Sequence, residues 1–191
     1  ASSGLSYPGL LTDGKALRVE NAADTPTNIY SRDFSGQAGH DMSVVWFSFL
    51  LKPEKVADGH AYIMLNGQFE GTAVGKKWVN GFGFHGFSIV KLENDQTYFA
   101  VARYDCRSGD DVAHLWVNPP LDQEPALDTA NAYYDGGDIG LGNSVGFAIQ
   151  GYGAGQYLYD EIRIGSSWTD VTAYTGGAID PPTAATNPVP D

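Results

Sequence analysis

In the stretch LYDEIRIGSSW, residues 158–168, acid, ring and guanidinium side chains stand close enough to do chemistry. Strand alternation puts Leu158, Asp160, Ile162 and Ile164 on one face and Tyr157, Tyr159, Glu161 and Arg163 on the other. Asp160 is then a carboxylate on an apolar stripe, where an unpaired charge is costly. Asp160 and Glu161 are neighbours and point to opposite faces, which makes them unsuitable as the carboxylate pair of a retaining glycoside hydrolase. Other strand-like segments mix rings with hydrogen-bonding groups: Tyr62 with His60, Trp116 with His114 and Asn118, Tyr157 with Tyr159 and Arg163. Rings of this kind stack on pyranose CH groups while polar neighbours fix hydroxyls. The alternative is that they are amphipathic strand residues covering a half-exposed sheet.

Other constellations carry less. His60, His85, His114, Arg103, Tyr62 and Tyr104 are the types a polysaccharide lyase needs, a base plus a cation for the sugar carboxylate, but no lyase motif joins them. Cys106 has no paired histidine, and CRSGDD, residues 106–111, reads as a solvated hairpin tip rather than a metal loop. Cys and His pairs with zinc spacing are absent, and the glycines of GFGFHG precede no helix that would receive a phosphate. A net charge of -12, with no basic run longer than Lys76-Lys77, excludes nucleic acid as a partner. No apolar run approaches a membrane span, so membrane insertion is not expected.

Positioning these residues falls to short strands. Alternation dominates, the 24 glycines and ten prolines sit in turn-like contexts, and 42% hydrophobic residues suffice for one buried core. Ser43–Leu51 reads as a central strand apolar on both faces and ended by Lys52-Pro53. His60–Leu65 alternates, and Phe82–Glu93 gives one or two strands. Tyr98–Asp105 and Val112–Asn118 read as a hairpin, as do Val145–Tyr152 and Gln156–Gly165. With Ala16–Glu20 and Asn28–Phe34 the count reaches roughly ten strands, the pattern of an all-β sandwich or barrel. One helical turn is expected at 167–173, capped by Ser166 or Ser167. The domain is expected over residues 1–175, followed by a Pro-rich linker or tail, 176–191, that suggests a module of a longer multidomain protein.

Three segments carry a family resemblance. LYDEIRIGSSWTDVT, Asp13-Gly14-Lys15-Ala16-Leu17-Arg18-Val19 and Leu115-Trp116-Val117-Asn118-Pro119 resemble, in order and spacing, elements of bacterial concanavalin A-like lectin/glucanase domains, also called laminin-G-like. The resemblance implies a β-sandwich jelly roll of two curved antiparallel sheets. It further implies a structural Ca²⁺ held by the last-strand aspartate, here Asp160, with carbonyls from near the N-terminus; Asn21 and Asp24 are candidate further ligands. The competing account of Asp160 is hydrogen bonding to backbone amides of a neighbouring loop. Glucanases of this fold carry Glu-x-Asp-x-x-Glu on one strand, and this chain does not. The resulting expectation is a non-catalytic, secreted or cell-surface module that binds a polysaccharide or cell-surface glycan, with Tyr62, His114, Trp116, Tyr157, Tyr159 and Arg163 as ligand-binding residues. The alternatives are a polysaccharide hydrolase or lyase, and a structural spacer.

Overall fold

The computed structural model describes residues 3–20, 28–36, 38–57, 60–65, 74–77, 81–84, 90–139, 142–150 and 155–174. Asn21, Asp24, His85 and the expected tail lie outside the described residues. Short apolar runs cut by Gly, Asn and Asp give many strands. In chain order these begin with β1 (Leu17–Glu20), β2 (Asn28–Asp33), β3 (Val44–Lys55), β4 (His60–Leu65), β5 (Val74–Lys77) and β6 (Gly81–Phe84). There follow β7 (Val90–Lys91), β8 (Tyr98–Asp105), β9 (Val112–Val117), β10 (Ala132–Asp135), β11 (Ser144–Gln150) and β12 (Gln156–Gly165). A single α-helix among the described residues, α1 (Trp168–Thr172), comes after β12. Its cap is Ser167, whose side chain accepts from the Asp170 amide while Asp170 reciprocates, a capping box. No helix among the described residues is long and apolar enough to cross a membrane.

The strands form an all-β sandwich of two antiparallel sheets, ordered β1-β12-β3-β8-β9-β10 and β2-β11-β4-β5-β6-β7. Phe47, Phe49 and Leu51 of β3 meet Ile63 and Leu65 of β4 and Phe147 of β11 between the sheets. A second apolar layer lies on the other face of the first sheet. There Trp46, Leu50, Phe99, Val101, Trp116 and Leu158 are covered by Leu5, Tyr7 and Leu10 of the N-terminal segment and by Trp168 and Val171 of α1. Two buried faces explain why β3 is apolar on both sides.

Three expectations change. β11 and β12 are not a hairpin: β11 pairs with β2 and β4, and β12 with β1 and β3. Their apolar faces meet across the core instead, with the Phe147 and Tyr159 rings 5.2 Å apart. β3 runs past Pro53, because there its ladder to β8 has ended at Leu51–Tyr98 and the missing amide costs little. The third change is a β-bulge in β12. Asp160 pairs with Leu50 and Arg163 with Ser48, so β12 carries one residue more than β3, and Glu161 takes a φ of 50°. The extra residue reverses the alternation. Tyr157, Tyr159, Ile162 and Ile164 therefore all pack against the inter-sheet core, while Leu158 and Asp160 face the N-terminal segment.

Candidate binding site

The bulge places Asp160 under the N-terminal segment, 7% exposed. Its Oδ2 accepts the Leu5 amide at 2.7 Å and its Oδ1 the Glu161 amide at 2.9 Å. Glu161 accepts the Asp13 amide, and Arg163 donates to Glu161 at 2.7 Å and to the Leu11 carbonyl. Gly4 completes the fit, since a Cβ there would lie 2.8 Å from the Gly14 oxygen and 3.3 Å from Asp160 Oδ2. These three charged residues fasten residues 4–13 to the sheet. Each Asp160 oxygen meets one backbone N–H, and Asn21 and Asp24, expected beside it as calcium ligands, lie outside the described residues. The hydrogen-bonded account of Asp160 matches this geometry.

The expected glycan platform is not on the surface. Tyr157 and Tyr159 point into the inter-sheet core at 2% and 1% exposure. Burial raises both phenols, Tyr157 to about 12. Tyr62 is likewise buried, at 1%. Trp116 is covered by the segment after β9, and its indole donates to Thr129 at 3.2 Å. Arg163 is partly buried, and its Nη2 is engaged by Glu161 and the Leu11 carbonyl. Asn118 is also structural, its side chain accepting the Phe99 amide at 2.9 Å.

On the outer face of the first sheet the ladders bring Trp46, Arg103, His114 and Tyr133 into one cross-strand row. The Arg103 guanidinium lies 5.5 Å from the Trp46 ring centre, His114 stacks on Trp116 at 5.9 Å, and Tyr133 meets His114 edge-on at 5.2 Å. This set resembles the base and cation of a lyase in composition only. Arg103 is engaged by Asp105 at 2.8 Å and Glu124 at 3.0 Å, two carboxylates that already pair its guanidinium. His114 is 7% exposed, and its Nδ1 stands 3.8 Å from Asp105. Burial lowers its pKa, opposed by Asp105 and reinforced by Arg103 and Arg107. It is a buried ring packed between Trp116 and Tyr133 rather than a side chain open to solvent.

The hairpin tip 106–111 is not simply solvated. Asp111 is 2% exposed and accepts the amides of Arg107 at 2.6 Å and Ile139 at 2.7 Å, tying the tip to the loop after β10. Cys106 is buried, and burial raises its thiol pKa.

These ties gather several connections at one end of the sandwich. Met42 donates to the Cys106 carbonyl, Asp111 to Gly137, and Ala38 to Gly142. Beside them opens a cleft of about 390 Å³ between the 34–43 connection and the ends of β3 and β12. Ala38 and Val45 floor it with the partly buried Phe34 and Ile164, and Ser35, His40, Ser43 and Ser166 line its more exposed part. No lysine, arginine, aspartate or glutamate lines it among the described residues. His40 is held by Ser43, whose hydroxyl donates to the His40 carbonyl at 2.6 Å and accepts its amide at 2.9 Å. Strand periodicity does not reach these residues, which belong to a connection. The available signal was GQAGHD, where glycines flank a histidine just before the central strand.

A scan against models of known protein families finds no match to this chain, and no curated protein matches it.

Proposed function

We propose that this chain is a non-catalytic carbohydrate-binding domain, acting outside the cell within a larger secreted or surface protein, with the end-of-sandwich cleft as its site. The observation that carries the reading is the cleft's chemistry: an apolar floor for the CH face of a sugar, a rim of Ser35, Ser166 and the His40 imidazole for its hydroxyls, and about 390 Å³ of space. The family resemblance of the sequence motifs points the same way. In this reading Asp160 anchors the N-terminal segment through the Leu5 amide, and its other oxygen accepts the Glu161 amide. The jelly-roll connectivity stays with the resemblance.

The juxtaposition of His114, Arg103 and Tyr133 favours one competing reading, a polysaccharide lyase, although its guanidinium is already paired. A panel of soluble polysaccharides examined by affinity electrophoresis and for chain cleavage separates the two. The expected result is retardation of the wild type by at least one polysaccharide without cleavage, lost in Ser35→Trp, which places an indole at the exposed rim. Cleavage abolished by His114→Ala would establish the lyase. Neither binding nor cleavage would leave a structural spacer.

A further inference from the structure

We propose that the cleft selects neutral sugars and that His40 Nε2 is its specificity-determining hydrogen-bond acceptor; this rests on the carbohydrate-binding reading and names the ligand class of that site. His40 Nδ1 lies 2.8 Å from the Asp41 carbonyl oxygen. A carbonyl only accepts, so in the neutral ring Nδ1 carries the proton and Nε2 keeps its lone pair. A side chain that lines the cleft thus offers an acceptor, which pairs with a sugar O–H.

The residue is held in place before any ligand arrives. Ser43 grips both backbone groups of His40, and the Ser43 carbonyl accepts the Cys106 amide at 2.9 Å, so the turn is fastened to the end of β8. A pre-set acceptor binds at lower entropic cost than a mobile one. Ser43 Oγ, engaged twice with His40, serves this positioning, leaving Ser35 and Ser166, the latter donating to Asp170 at 3.3 Å, as the hydroxyls nearest solvent.

Charge decides against anionic sugars. No cationic side chain lines the cleft among the described residues, Asp41 adjoins His40, and the chain carries a net charge of -12. A uronate carboxylate would meet the Nε2 lone pair and a negative field with no counter-charge.

The test uses the full chain and isothermal titration with the methyl glycosides of glucose, galactose, mannose and xylose, with glucuronic acid and galacturonic acid as anionic counterparts. At least one neutral glycoside is expected to bind and the uronic acids not. His40→Ala should weaken that binding roughly tenfold, the size of one hydrogen bond, with only a small drop in melting temperature, because Ser43 holds the backbone of His40 and the ring gives up one exposed bond to the Asp41 carbonyl. His40→Gln, whose amide oxygen also accepts, should recover part of the loss. Equal or tighter binding of a uronic acid, or unaltered binding by His40→Ala, overturns this proposal and leaves the carbohydrate-binding reading standing. Absence of binding to every glycoside and to the polysaccharide panel overturns both.

Discussion

Asp160 shows how one carboxylate can be read two ways. On a sequence it is an acid on an apolar stripe; in the fold it is the acceptor for two backbone amides, one of them 155 residues away. Removing the acceptors would strand both N–H groups under the N-terminal segment, at a cost of about 1–3 kcal/mol for each buried unsatisfied group. Asp160→Ala is therefore expected to destabilise the domain by about 3 kcal/mol in urea unfolding, and Asp160→Asn by less, since the amide retains one oxygen. Because hydrogen bonds supply the stabilisation, both losses should be equal in millimolar Ca²⁺ and in EDTA. A loss seen only with Ca²⁺ present would instead make Asp160 a calcium ligand. What the sequence did not disclose was the donor, since Leu5 sits in a segment with no strand pattern.

At the scale of elements, legibility followed periodicity. β3, β4, β8 and β9 were visible because apolar residues recur in uninterrupted strand patterns, and the β8–β9 hairpin because its turn is rich in Gly and Asp. β5, VGKK, and β10, AYYD, were missed, being too short and too polar to alternate clearly. β12 was found, but its faces were misassigned after Asp160, because nothing in Asp-Glu-Ile announces that Glu161 will take a positive φ and add a residue to the strand. The same reading put Tyr157 and Tyr159 on an exposed face when they fill the core. The two placements differ in energy. A surface tyrosine changed to alanine costs little, within about 0.5 kcal/mol, whereas truncating a large aromatic in a core costs about 3–5 kcal/mol. Tyr159, in contact with Phe49 at 6.0 Å and Phe147 at 5.2 Å between ring centres, is expected to fall in the second class. Chemical denaturation of Tyr159→Ala checks it, and a change below 1 kcal/mol would return the ring to the surface.

For the whole molecule, the unusual feature is a sheet buried on both faces in a two-sheet sandwich. A layer of helices or a third sheet would ordinarily cover the outer face; here an irregular N-terminal segment, one short helix and the connection after β9 do it. Leu5, Tyr7 and Leu10 contribute much of that cover, each less than 9% exposed. Fully burying a large apolar side chain is worth about 1.5–3 kcal/mol, so three of them supply an amount comparable with the whole net stability of a domain, about 5–15 kcal/mol. The segment is also latched at its far end, where the Leu11 amide donates to the Ala173 carbonyl at 2.9 Å and Leu10 bridges Tyr174. Deleting residues 1–12 would uncover Leu50, Phe99 and Leu158 and leave Asp160 and Arg163 without Leu5 and Leu11. The truncated chain should melt far below the full chain, bind a hydrophobic dye such as ANS at room temperature, and associate in size-exclusion chromatography. A monomeric, dye-negative truncation with an unchanged melting temperature would show that the sheet holds without its strap and that residues 3–12 are ornament to the fold.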